Sequence, residues 1–157
     1  MAATAELDAA VRRLMDRTLP VLDAAFDVEA DHSEPRDILI GLGEKLATLA
    51  AGPHGLGIYR LTVAEAPCFR ELAWLSMEGS GRVVVLLTRL FDPWHATKRL
   101  PLSGTLQSAA QVFMDLVAAT PRNKAVIGMP LLPHALRLHV SAAVDVFLRG
   151  CGEGSRL

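Results

Sequence analysis

The chain has 157 residues, 51% of them apolar and 21% charged, with a formal net charge of −1. A chain of this length and mean hydropathy (+0.30) can bury one sizeable core, which excludes a disordered polypeptide. Sixteen basic residues against seventeen acidic ones leave no excess charge to hold a polyanion, so composition gives nucleic-acid binding no support.

Two cysteines, Cys68 and Cys151, make no disulfide framework and fit reduced thiols in the cytoplasm. The opening MAATAELDAA carries Glu6 and Asp8 and lacks the basic-then-apolar layout of a signal peptide. The longest uncharged apolar stretch, residues 125–136, is broken by Pro130 and Pro133. It falls short of the roughly 20 residues a spanning helix needs, so a cytoplasmic protein with no membrane association is expected.

Helical periodicity runs from the start. Leu7, Val11, Leu14, Thr18, Val21, Leu22 and Ala25 recur at steps of three and four, and Pro20 predicts a kink or break near Thr18. Residues 27–35 read as a polar loop, with Pro35 suited to the first turn of the next helix. Ile38, Leu39, Leu42, Leu46 and Leu49 form a stripe down to Ala51. Gly41 and Gly43 lie inside it and predict a close helix–helix approach. Gly52-Pro53 ends that segment, a short helix covers 54–65, and Pro67 restarts a long one to Phe91. Within it GRVVVLL (81–87) could be a buried strand, but no second strand exists to pair with it. Residues 92–104 read as a loop, 105–120 as a helix and 121–133 as a connection with three prolines. The last helix is expected over 134–149 with Gly150 as its cap, and 151–157 as a frayed tail. The fold class is therefore all-α, a bundle of about six helices forming one domain over 1–150.

No catalytic constellation is visible. GLG (41–43) lies mid-helix with no preceding strand and no following Lys-Ser/Thr, and EGSGR (78–82) lacks the nucleophile-elbow spacing. His32, His54, His95, His134 and His139 form no i,i+4 pair, and the carboxylates follow no Glu-x-x-His pattern. A protein that is not an enzyme, without metal or cofactor, is expected.

One stretch is more specific. IYRLTVAEAPCFREL (58–72) puts Arg60 and Glu65 on a short helix that ends where the long helix begins. Here the sequence resembles the C-terminal ligand-binding and dimerisation domain of the tetracycline-repressor-like (TetR) transcriptional regulators. The resemblance continues in order through the long helix 67–91 and LPLSGTLQSAAQVFMDLVA (100–118), covering about 30–150. It implies a domain that senses a small, mostly apolar effector and forms a homodimer. It also implies a preceding DNA-binding helix-turn-helix, and no segment reads as one; residues 1–27 look like the long helix that follows that module. DNA would be reached only through a module this sequence does not show. An alternative is a free-standing dimeric module that pairs with a full-length regulator. The resemblance further implies an elongated apolar cavity among the first helix and the helices at 35–51, 54–65 and 67–91. Candidate lining residues are Leu22, Phe26, Leu46, Tyr59, Thr62, Trp74, Met77 and Phe113, with Tyr59 and Thr62 able to orient a polar end. Trp74, Met77 and Phe113 suit plain core better than pocket lining, whereas Tyr59 suits either. Arg60 and Glu65 suit a salt bridge or helix-end hydrogen bonds at the junction better than ligand contact.

The last helix carries its own signal. Arg137, Ser141, Asp145 and Arg149 make one narrow polar stripe, and nearly everything else on the helix is apolar. Such a helix must bury two sides, one against its own bundle and one against another surface. This predicts a dimer through the last two helices, with Leu138, Ser141, Ala142 and Val146 at the interface. The family resemblance independently implies a four-helix interface at this place.

Overall fold

The structure is a computed structural model that describes residues 9, 12, 13, 16, 17, 20, 23 and 24 and the spans 34–65 and 70–152. Those first eight residues are all helical, Pro20 among them; the kink expected near Thr18 lies outside the described residues. Five further helices follow. Helix α1 (Pro35–Ala51) starts with Pro35 at its first position, where a missing amide breaks no bond. It buries Ile38, Leu39, Leu42 and Leu46 of the expected stripe and Ala47 besides, while Leu49 is half-buried. At Gly52 the chain turns, the glycine N–H donating to the Leu49 carbonyl, and α2 (Pro53–Glu65) begins at once. The others are α3 (Arg70–Ala96), α4 (Leu106–Val126) and α5 (Pro133–Gly152). Among the described residues there is no strand; GRVVVLL lies within α3. The fold is all-α.

Helix α4 sits at the centre, packed against α1, α3 and α5, while α1 also packs along α5 and α2 lies at one side. Their shared core holds Leu39 and Leu42 of α1, Leu87, Phe91 and Trp94 of α3, Phe113 and Val117 of α4, and Val140, Val144 and Phe147 of α5. Phe91 is the hub of its aromatic part. Its ring centroid lies 5.7 Å from Phe147, 6.1 Å from Phe113 and 6.3 Å from Trp94.

Two expected boundaries are corrected. The loop over 92–104 is too long, because α3 continues through Pro93 to Ala96 and seats Trp94 in the core. The connection over 121–133 is likewise too long, because α4 continues through a buried Pro121 to Val126. Each proline forfeits one backbone hydrogen bond, and in each case burial offsets the loss: Phe91-to-Trp94 and Val117-Pro121-Ala125 extend the apolar stripes past the break. After α4 the turn closes at Gly128, which takes a φ of 77° while Met129 N–H donates to the Lys124 carbonyl. Gly150 does not end the last helix, which runs on to Gly152.

The two glycines of α1 differ. A Cβ built on Gly43 would lie 2.7 Å from Val140 Cγ1 and 3.2 Å from Val117 Cγ1, whereas one on Gly41 meets nothing within 4 Å. The close helix approach therefore belongs to Gly43 alone. Gly41→Ala is expected to raise stability by about 0.5–1 kcal/mol through helix propensity. Gly43→Ala gains the same term but pushes into two β-branched side chains, at an overpacking cost of about 1–3 kcal/mol. Urea titrations of both variants check this: shifts of opposite sign are expected, and equal shifts would contradict the close contact.

Candidate functional site

The polar stripe of α5 is used within the chain. Arg36 of α1 donates from Nε to Asp145 Oδ1 at 2.8 Å and from Nη2 to Asp145 Oδ2 at 3.2 Å and Ser141 Oγ at 3.3 Å. One flank further, Arg137 Nε pairs with Glu44 Oε1 at 3.3 Å. With that stripe turned toward α1 and Val140, Val144 and Phe147 turned into the core, the side of α5 left facing outward is apolar. Leu138 and Val146 are each 59% exposed, and Ala142 between them is exposed too. Helix α4 extends the same surface, with Val112 exposed and Leu116 and Ala119 half-buried. His139 ties the two helices together, its Nε2–H donating to the Leu116 carbonyl at 3.1 Å.

The Arg36 hydrogen bond holds the Asp145 carboxyl below its ordinary range and raises the Arg36 guanidinium. A depressed carboxylate contributes stability above its unfolded pKa of about 3.9 and loses it as pH falls through the lower folded value. The wild-type protein is thus expected to exceed Asp145→Asn slightly in melting temperature at pH 5–7, with the gap closing below about pH 4. A gap that persists at pH 2 would contradict the pairing.

A second feature is the junction where α2 meets α4. Helix α2 has no fully buried residue, although Leu56, Ile58, Tyr59, Leu61 and Thr62 are half-buried. The Arg122 guanidinium of α4 lies 4.4 Å from the Tyr59 ring centroid, and Arg60 Nη2 donates to the Val126 carbonyl at 3.0 Å, at the end of α4. Arg60 thus makes a helix-end hydrogen bond. A third feature is an open groove of about 1150 Å³ between α3 and α4, lined by Met77, Gly81 and Val85 on one side and Gln111 and Val112 on the other.

Residues 37–152 match the family of the AefR-like transcriptional repressor C-terminal domain, a TetR-type domain. The chain belongs to this family. The fold of this AefR-like domain is also similar to the crystal structure of a protein described as a TetR-family transcriptional regulator from Mesorhizobium loti. The TM-score is 0.71 at 18% identity, covering 93% of this chain and 71% of that one. No curated protein matches the sequence.

Within the AefR-like domain the six described candidate cavity residues are spread over the core, α2 and the outside of α3. Leu46 and Phe113 are buried in the core cluster, and Tyr59 and Thr62 are half-buried on α2. Trp74 and Met77 are 70% and 63% exposed on α3, with Met77 on the α3–α4 groove. Leu22 and Phe26 lie outside the described residues. The sequence reading missed Arg36 and Arg122. Arg122 stood in a stretch read as connection; the i+4 run Phe113, Val117, Pro121, Ala125 was the signal that would have placed it on a helix. Among the described residues no helix is long and apolar enough to cross a membrane, and no three His, Cys, Asp or Glu residues converge as a metal site.

Proposed function

We propose that this AefR-like domain is the small-molecule-sensing and dimerisation part of a TetR-type regulator, working in the cytoplasm without catalysis. It pairs with a second copy through α4 and α5 and takes a small, mostly apolar effector beside α2. DNA is contacted through the regulator's helix-turn-helix and not through this domain. The observation that carries the reading is the outward face of α5. Its polar stripe is spent on Arg36 and Glu44 of the same chain, which leaves Leu138, Ala142 and Val146 as the surface offered to solvent. A two-fold axis beside that face presents the same residues from both copies and covers both at once. The absence of any fully buried residue on an otherwise apolar α2 supports the effector side of the reading. In solution the effector shifts the spacing of paired subunits by binding one arrangement more tightly than the other. Light scattering at micromolar concentration tests the pairing: about twice 16.9 kDa is expected, and 16.9 kDa would overturn it.

A further inference from the structure

The junction of α2 with α4 holds a cation whose hydrogen bonds are incomplete. Arg122 Nε is sealed from solvent with no hydrogen-bond partner, and among the described residues no carboxylate pairs with its guanidinium. Among the described residues its contact is with the Tyr59 ring, whose centroid lies 4.4 Å from the guanidinium carbon, and Nε–H is left without an acceptor. A buried donor without an acceptor is costly, and native structures keep few of them, so this one calls for an explanation. A guanidinium held against an aromatic ring can offer two parallel hydrogen bonds at its edge, the geometry that a carboxylate accepts, once the element covering Nε moves aside. The neighbouring Arg60 spends a donor on the Val126 carbonyl, so among the described residues Arg122 is the guanidinium at this junction with a sealed donor left over. One guanidinium edge accommodates one carboxylate. The half-buried Leu56 and Thr62 lie three residues either side of Tyr59, on the same face of α2, and suit an apolar body. Because α2 contributes no fully buried residue, it is the wall that can part to admit a ligand.

We propose that the Arg122 guanidinium, laid over Tyr59 between α2 and α4, is the docking point for the carboxylate of an amphipathic monocarboxylic effector. This rests on the effector-binding reading above and names the chemical class of that effector. The test titrates the whole chain with decanoate and, separately, with decanol. Arginine side-chain NMR reads the Arg122 Nε–H, assigned by its loss in Arg122→Lys, and calorimetry reads the affinity. Decanoate is expected to move the Arg122 resonance and to bind at least about tenfold more weakly to Arg122→Gln, with decanol binding unaffected by that substitution. Should Arg122→Gln melt far below the wild type, the resonance shift in the unmodified protein decides alone. Decanol binding as tightly as decanoate would overturn the carboxylate site and leave the effector reading standing. Decanoate binding with the Arg122 resonance unmoved has the same meaning. Failure of both probes to bind overturns the site and counts against the effector reading as well.

Discussion

With the proposed pairing through α4 and α5, Ala142→Glu is expected to leave a monomer, weakening self-association by about 100-fold or more. Ala142 lies at the middle of the outward stripe of α5, flanked by Leu138 and Val146, where small size lets two helices approach. At a two-fold interface one substitution acts twice, so two carboxylates would be buried near each other with no cation to meet them. Leaving an uncompensated charge in a buried contact costs about 3–5 kcal/mol, enough to dissociate a micromolar dimer. Ser141→Ala on the same helix serves as the contrast. Its hydroxyl accepts from Arg36 of its own chain, so the mass should stay that of the dimer. Sedimentation of both variants checks this, and a dimeric Ala142→Glu would place the interface elsewhere.

Phe91→Ala is expected to lower folding stability by about 3–5 kcal/mol. Phe91 is fully buried and its ring meets those of Trp94, Phe113 and Phe147, so truncation leaves a cavity at the meeting point of α3, α4 and α5. Those neighbours are themselves held on three separate helices and cannot all collapse into the gap. Against a total stability of about 5–15 kcal/mol the loss is a large fraction, visible as a lower urea midpoint. Phe91→Leu, which keeps much of the volume, should cost markedly less. A loss under about 1 kcal/mol for the alanine variant would mean the ring cluster does not hold the core.

The helical periodicity carried most of the fold. Ile38, Leu39, Leu42 and Leu46 are buried as spaced, and Leu87 and Phe91 continue into the same core. The errors came from proline. Pro93 and Pro121 read as terminators because each removes a hydrogen bond locally, yet burial of Trp94 and Ala125 beyond them outweighed that local cost. Of the site, the apolar excess of α5 was legible because an unusually narrow polar stripe is a one-dimensional signal. That the stripe would be met by Arg36 and Glu44, some 100 residues away, was not. The Arg122–Tyr59 stack was hidden for the same reason: it joins two helices through a contact that no spacing rule reports.

The ion pairs between α1 and α5 also fix how far one helix can slide on the other. Arg36 meets Asp145 and Glu44 meets Arg137, so eight residues forward on α1 correspond to eight residues back on α5, an antiparallel alignment with Gly43 seated against Val140. A slip of one turn in one direction would set Arg36 against Arg149, like charge to like. A slip in the other would bring Leu39 to the place where Val140 now leaves no room even for a Cβ. Both neighbouring alignments are disfavoured, the second by the packing of Val140, so α1 acts as a ruler laid along α5.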